Sequence, residues 1–130
     1  MKLGRLANLA RLYWYTVEFG LVRSPKGLRI FGAGIMSSMT ESVFALEDAS
    51  PHRVAFDLER VMRTNYIIDD FQQTYFVIDS FQALLDACYR DFGPIYAWIG
   101  KASEIEPDEL TEGDRIVSQG TLAYFNDRRR

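Results

Sequence analysis

The chain has 130 residues, of which 48% are hydrophobic and 25% charged, and its formal net charge at pH 7 is −3. This balance is typical of one globular domain and excludes a wholly disordered chain. No basic stripe and no apolar run near the ~20 residues of a membrane span is present, so nucleic-acid binding and membrane insertion are disfavoured.

Three elements are predicted in the first third of the chain. Apolar residues recur at helical spacing over residues 3–18, which predicts a helix. Residues 24–27 have the composition of a turn, and the alternating pattern of residues 28–31 predicts a short strand. Gly32 and Gly34 are expected to interrupt any regular structure after that strand.

The remainder is predicted to contain three helices, one strand and a tail. Helices are expected at residues 41–46 and 57–63, and the β-branched and aromatic residues 74–78 predict a strand. A longer helix is predicted over residues 80–100, disturbed at its Gly-Pro pair. From residue 101 the composition becomes acidic and turn-rich, so residues 101–130 are predicted to be a loosely packed tail.

Cys88 is the only cysteine, and it cannot form a disulfide within the chain. One unpaired thiol favours a reducing compartment, and no signal peptide is recognised, because Arg5 and Arg11 interrupt the first apolar residues. We therefore expect a cytoplasmic protein. The apolar helical pattern around Cys88 predicts that its thiol is buried and unreactive.

Glu18 is the most informative single residue. It lies among large apolar residues, and Trp14 precedes it by one turn on the same face of the predicted helix. A carboxylate buried in such surroundings needs a cation, hydrogen-bond donors or a metal ion. The alternative is that Glu18 faces water or pairs with Arg11 or Arg23, since most helical glutamates are solvated.

A glycine–serine loop follows the predicted strand. Gly32 and Gly34 are typical either of a simple turn or of a loop whose backbone approaches a ligand closely. Ser37 and Ser38 could donate hydrogen bonds to a ligand carboxylate. Equally, Ser38 or Thr40 could cap the next helix, a role in which serine and threonine are common.

His52 is the only histidine. It follows a proline in a predicted turn, so a surface or capping role is expected. One histidine cannot form a two-histidine metal site. The chain also lacks a Gly-x-Ser-x-Gly elbow, a phosphate-binding loop and a Cys-x-x-Cys pair, which disfavours several other kinds of catalytic site.

Four stretches of the chain carry a resemblance to a known family: residues 10–20, 30–38, 56–59 and 70–81. In this order they resemble the aromatic amino acid hydroxylase family, and in particular its bacterial phenylalanine 4-hydroxylases. Residues 10–20 resemble the helix that supplies the glutamate ligand of iron, and residues 30–38, with Glu41, resemble the following active-site loop. Residues 56–59, Tyr66 and residues 70–81 resemble the segments that come next in the family.

The resemblance extends over roughly residues 5–90, and it implies a mainly α fold with a small β element. Residues 1–100 would form the C-terminal half of the hydroxylase catalytic domain. The acidic residues 101–130 would follow as the loosely packed tail.

The resemblance also implies roles for five residues. Glu18 would be the carboxylate of a two-histidine, one-carboxylate Fe(II) site, a geometry that leaves coordination positions open. Trp14 would form part of the aromatic wall around the substrate, and Gly34 would let the backbone approach it. Ser37 would help to hold the carboxylate of the amino acid and orient a ligand histidine, and Tyr66 would lie near the mouth of the site.

In the family, Fe(II), a tetrahydropterin cosubstrate and O₂ convert phenylalanine to tyrosine, and the complete enzyme is expected to be a monomer. Both ligand histidines belong to a His-x-x-x-x-His segment that precedes the glutamate helix, and this segment is absent from the sequence. The chain is therefore expected to be part of the enzyme and inactive alone. The alternative is a non-catalytic binding or interaction module with the same fold.

Overall fold

A computed structural model describes residues 2–128, and within these the side chains of residues 6–126. The elements, in chain order, are α1 (Lys2–Tyr13), a π-helical turn (Trp14–Glu18), β1 (Leu21–Ser24), β2 (Gly27–Ile30), α2 (Ala33–Met36), α3 (Met39–Glu47), β3 (His52–Ala55), α4 (Leu58–Met62), β4 (Thr74–Ile78), α5 (Phe81–Cys88), α6 (Phe92–Ile99), β5 (Ile116–Ser118) and α7 (Ala123–Arg128). Helical residues predominate and the strands form one sheet, as expected from the sequence.

The sheet is mixed and has five strands in the order β2-β1-β4-β3-β5. The central strand β4 runs parallel to both of its neighbours, β1 and β3. The outer strands β2 and β5 are antiparallel to the strands they join. All five residues of β4 are buried, as expected for a strand covered on both faces.

Helices cover the two faces of this sheet. Because side chains alternate along a strand, Phe76 of β4 points into one core, whereas Tyr75 and Val77 point into the other. The first core contains buried side chains from α1, α4 and α6, and the second contains side chains from α2, α3 and α7.

The predicted helix over residues 3–18 is confirmed, but its last turn is wider than an α-helical turn. The backbone N–H of Phe19 donates to the carbonyl oxygen of Trp14 at 2.8 Å, a bond that spans five residues rather than four. Such single π-helical turns are rare and are often found at functional sites. Here the turn lies against the loop that carries Gly34, which follows the β1–β2 hairpin.

Several other predictions for local structure are confirmed. Strand β4 has the predicted bounds, and helices occur near both predicted positions in the middle of the chain. Ser38 caps α3 by accepting a hydrogen bond from the Glu41 N–H at 3.2 Å. The prediction that Gly34 interrupts regular structure is wrong, because Gly34 lies inside the one-turn helix α2; glycine costs a helix only about 1 kcal/mol.

The predicted helix over residues 80–100 is two helices. The break precedes the Gly-Pro pair, because Asp91 caps α6 by accepting a hydrogen bond from the Gly93 N–H at 3.0 Å. Pro94 therefore lies in the first turn of α6, where proline is tolerated since the N–H it lacks has no helical partner there. Strands β1, β3 and β5 were not predicted.

The packing of residues 101–126 differs from the expected loose tail. Strand β5 pairs with β3, and Ile105 and Phe125 are buried in the molecule. Asp114 forms an ion pair with Arg60 in which both side chains are almost fully buried. The acidic composition suggested a solvated segment, but its acidic and apolar residues have long-range partners that the composition alone does not reveal.

Two further predictions are corrected. The thiol of Cys88 is exposed, at the C-terminal end of α5. His52 is buried in β3 rather than on the surface. Its Nδ1 accepts a hydrogen bond from the Gly120 N–H at 2.8 Å, and its Nε2 lies 3.2 Å from the carbonyl oxygen of Asp108. Among residues 2–128, no helix has both the length and the apolar character needed to span a bilayer.

Candidate active site

The side chain of Glu18 turns towards the glycine loop. A β-carbon built on Gly34 would lie 2.8 Å from Glu18 Oε2 and 2.9 Å from the Glu18 carbonyl oxygen. A β-carbon on Gly32 would overlap the Glu18 backbone. These two glycines therefore allow the loop to pass directly over the end of the π-helical turn, with the carboxylate of Glu18 beside it.

The hydroxyl group of Tyr13 donates a hydrogen bond to Glu18 Oε1 at 3.1 Å. In a regular α-helix, residues five apart point in different directions, but the wider π-helical turn brings these two side chains together. The hydrogen bond to the Glu18 carboxylate, together with its negative charge, raises the pKa of Tyr13. Glu18 is partly exposed, and its carboxylate therefore stays accessible beside the loop.

An aromatic cluster adjoins this carboxylate. The ring of Trp14 stacks on that of Tyr66 with a centroid distance of 4.5 Å and an interplanar angle of 16°. The Trp14 ring also packs against the ring of Phe19, with a centroid distance of 4.7 Å. The ring of Phe19 in turn reaches the loop, since its Cζ would lie 3.1 Å from a β-carbon on Gly34.

Ser37 follows α2 and has an exposed side chain. Its hydroxyl group donates to the carbonyl oxygen of Gly34 at 2.9 Å, so Ser37 does not cap α3. The five residues suggested by sequence thus form one connected group: Glu18 and Ser37 both contact Gly34, and Phe19 links Gly34 to Trp14 and Tyr66.

A buried polar network lies behind the aromatic cluster. The indole Nε1–H of Trp14 donates to Gln72 Oε1 at 3.1 Å. The backbone N–H of Gln72 donates to Glu41 Oε2 at 3.2 Å, and the same oxygen accepts the hydroxyl group of Tyr75 at 2.6 Å. Burial raises the pKa of Glu41, an effect that these two hydrogen bonds partly offset.

Four of these residues were not identified as site residues from the sequence: Tyr13, Phe19, Gln72 and Tyr75. A π-helical turn has no recognised sequence signal, so nothing in the sequence indicated the contact between Tyr13 and Glu18. Gln72 bonds to residues distant in the chain, and nothing in its local sequence indicates them. Phe19 adjoins Glu18 and could have been proposed as part of the aromatic wall.

Within the described residues, no three His, Cys, Asp or Glu side chains are grouped so that they could hold a metal ion. Both ring nitrogens of His52 lie within hydrogen-bond distance of backbone groups. Glu18 could therefore act as a metal ligand beside the Gly34 loop, and it would contribute a single ligand.

Residues 4–113 match the family model described as biopterin-dependent aromatic amino acid hydroxylase. The chain belongs to this family. It is similar to the phenylalanine-4-hydroxylase of Caulobacter vibrioides, with 65% identity over 122 residues, which cover 94% of this chain and 42% of the relative. The human phenylalanine-4-hydroxylase is 37% identical over 76 residues, which cover 58% of this chain and 17% of the human protein.

The fold is shared with solved structures of the aromatic amino acid hydroxylase family. The phenylalanine hydroxylase of Chromobacterium violaceum bound to cobalt superimposes with a TM-score of 0.86 at 53% identity, over 89% of this chain and 42% of that one. The chain thus spans about two fifths of the length of the Caulobacter relative and of the Chromobacterium structure.

Proposed function

We propose that this chain provides the carboxylate ligand and one wall of the substrate site of a phenylalanine hydroxylase that depends on Fe(II) and a tetrahydropterin. The observation that carries the proposal is the position of Glu18. Its carboxylate lies against Gly34, which also adjoins the ring of Phe19 and accepts a hydrogen bond from the Ser37 hydroxyl group. Membership of a biopterin-dependent family, with relatives named phenylalanine-4-hydroxylase, supports the same reading.

The residues present fit an Fe(II) site in part. A partly exposed carboxylate suits a divalent metal, and a two-histidine, one-carboxylate set is the characteristic arrangement of non-haem Fe(II) oxygenases. The cobalt-bound Chromobacterium relative is consistent with a divalent metal in this fold. The histidine ligands would have to come from polypeptide outside these 130 residues, so we propose that the chain alone does not turn over.

When bound, the iron and the tetrahydropterin would supply the activation of O₂ for hydroxylation of the aromatic ring. The residues of this chain would position the substrate for that reaction. The ring of Trp14, packed against Tyr66 and Phe19, would give this wall an apolar, aromatic character suited to an aromatic side chain. The exposed hydroxyl group of Ser37 could hold the carboxylate of phenylalanine, and Gly34 leaves room beside Glu18 for close approach.

The proposal can be tested in a hybrid enzyme. In this hybrid, the present chain replaces the matching 42% of the Caulobacter vibrioides phenylalanine-4-hydroxylase. We expect the hybrid to bind Fe(II) and to form tyrosine from phenylalanine in a tetrahydropterin-dependent reaction. Because the identity over the exchanged region is 65%, we expect the two parts of the hybrid to pack together correctly.

Glu18→Ala in the hybrid should reduce Fe(II) affinity by more than about 100-fold, because loss of a direct ligand exceeds the usual effect of losing a group behind it. Glu47→Ala is the matched control, since Glu47 is an exposed glutamate at the end of α3. A folded hybrid without hydroxylation, or with unchanged activity after Glu18→Ala, would contradict the proposal and favour a non-catalytic module.

A cytoplasmic location and a monomeric complete enzyme belong to the same proposal. The first is based on the single cysteine of the chain, which cannot form an internal disulfide. Size-exclusion chromatography with light scattering of the active hybrid would test the second, and a stable dimer would contradict it.

A further inference from the structure

We propose that Gln72 is a positioning residue that fixes the orientation of the Trp14 indole in the substrate wall. This inference rests on the proposed function, because it assigns Gln72 a role in the site where phenylalanine would bind. Gln72 does not face that site itself. It is 1% exposed and lies just before the central strand β4, so its effect would be transmitted through Trp14.

Stacking alone leaves the Trp14 ring free to slide or rotate over its neighbours. Its contacts with Tyr66 and Phe19 are ring to ring, and such contacts are tolerant of small displacements. The hydrogen bond from Trp14 Nε1–H to Gln72 Oε1, at 3.1 Å, is directional. It therefore selects one orientation of the indole among those that stacking permits.

The direction of the Gln72 amide is set by its two partners. The indole Nε1–H can only donate, and the carbonyl oxygen of Ile67 can only accept. Gln72 Nε2 lies 2.7 Å from the Ile67 oxygen, while Oε1 lies on the Trp14 side. Reversing the amide would place donor against donor at Trp14 and acceptor against acceptor at Ile67. The side chain of Gln72 thus has one satisfied orientation.

The backbone of Gln72 is also held from outside its own segment. Its N–H donates to Oε2 of Glu41, a buried carboxylate with 6% exposure, which also accepts the Tyr75 hydroxyl group. Glu41 lies in the first turn of α3, the helix that begins shortly after Ser37. The network therefore connects the aromatic wall to α3, the helix that follows the glycine–serine loop.

The test is a double-mutant cycle between Gln72 and Trp14 in the hybrid enzyme. Gln72→Met preserves approximate size but removes the acceptor for the indole. We expect kcat/KM for phenylalanine to fall by about threefold to tenfold, the range of one net hydrogen bond, with unchanged Fe(II) affinity. In a Trp14→Phe background, which has no indole donor, Gln72→Met should have little further effect on kcat/KM.

The same loss of kcat/KM in both backgrounds would show a general structural effect and overturn the proposal. Gln73→Met is the matched control, because Gln73 is the adjacent buried glutamine and Trp14 is not its partner. We expect Gln73→Met to leave kcat/KM and Fe(II) affinity near those of the parent hybrid. A loss there equal to that of Gln72→Met would also overturn the proposal.

Hydrogen exchange of the indole groups tests the contact without any substitution. In the parent hybrid, the Trp14 indole N–H should exchange at least about tenfold more slowly than that of Trp98, whose side chain is 52% exposed. NMR signals can be assigned from the single Trp→Phe variants. Equal exchange rates would overturn the proposal even if Gln72→Met failed to fold.

The two proposals fail in distinguishable ways. A parent hybrid that is inactive but protects the Trp14 indole would refute the proposed function, and the substrate role of Gln72 would fall with it. An active hybrid that loses activity with Glu18→Ala but shows no coupling between Gln72 and Trp14 would refute the inference alone.

Discussion

The carboxylate of Glu18 lies against the α-carbon of Gly34, on the side where any other residue would carry a β-carbon. Such a β-carbon would lie 2.8 Å from Glu18 Oε2, a separation that real β-carbon contacts essentially never show. The place of the carboxylate therefore depends on the absence of a side chain at residue 34. This relationship connects the candidate metal ligand to the loop that would contact substrate.

Gly34→Ala tests this relationship directly. Alanine is favoured over glycine in a helix such as α2 by up to about 1 kcal/mol, so helix propensity alone predicts stabilisation. We expect the contacts with Glu18 to outweigh it, with a net loss of about 1–3 kcal/mol in the free energy of unfolding. Urea denaturation of the chain measures stability, and Fe(II) titration of the hybrid should show weaker binding, because the carboxylate must move.

Gly113→Ala is the control for this substitution. A β-carbon on Gly113 would meet no heavy atom within 4 Å, so the change should alter stability by less than about 0.5 kcal/mol. If Gly34→Ala proved as stable as the parent and kept its Fe(II) affinity, the close packing of Glu18 on Gly34 would not exist in solution.

Tyr13→Phe tests the second contact of the same carboxylate. Tyr13 is exposed, so loss of its hydroxyl group should change stability by less than about 0.5 kcal/mol. Fe(II) affinity of the hybrid should nevertheless fall by about tenfold, because a hydrogen-bonded neighbour orients a ligand carboxylate. Tyr89→Phe, at an exposed tyrosine directly after α5, should affect neither property. Unchanged Fe(II) affinity after Tyr13→Phe would contradict the orienting role.

The parts of the fold that were predictable are those whose signal is local. The helix over residues 3–18 has a continuous apolar pattern, and β4 is a run of β-branched and aromatic residues. Strand β3 was missed because His52 and Arg53 resemble residues of a turn or surface. Both are buried, and Arg53 is satisfied by distant groups such as the carbonyl oxygen of Ala45, at 2.8 Å.

The candidate site shows the same division. Glu18 and Gly34 were found through two family motifs, residues 10–20 and 30–38, each continuous in sequence, and the structure places the two residues in contact. Gln72 and Trp14 are 58 residues apart, and their hydrogen bond depends on how β4 packs beside the π-helical turn. Such a contact is a property of the tertiary fold, so no local pattern around Gln72 could predict it.

Stability should depend on pH through His52. Burial lowers the pKa of His52 below its ordinary value near 6.5, an effect that its contact with Asp108 only partly offsets. The neutral ring fits the fold because Nδ1 must accept the Gly120 N–H. Since the unfolded chain binds the proton more readily, the stability contributed by neutral His52 is fully present above about pH 6.5. This contribution is lost as the pH falls below that value.

Urea denaturation between pH 7.5 and 5 measures this dependence. His52→Gln should be less stable at pH 7.5, but its stability should fall less steeply than that of the parent towards pH 5. Glu41 acts in the opposite direction, since its raised pKa favours the fold as pH falls further, and His52→Gln retains that contribution. Parallel pH profiles for parent and variant would show that His52 does not carry the effect.

Asp114→Ala should lower the free energy of unfolding by more than any surface substitution. Asp114 Oδ1 accepts from Arg60 Nε at 2.8 Å, with both side chains at 6% exposure or less. Removing the carboxylate leaves a buried guanidinium group without its counter-charge, which typically costs about 3–5 kcal/mol. Asp79→Ala is the control, because its pair with Arg23 is about half exposed and such pairs contribute less than about 1 kcal/mol. Equal effects of the two substitutions on urea denaturation would mean that residues 101–126 do not pack on α4 in solution.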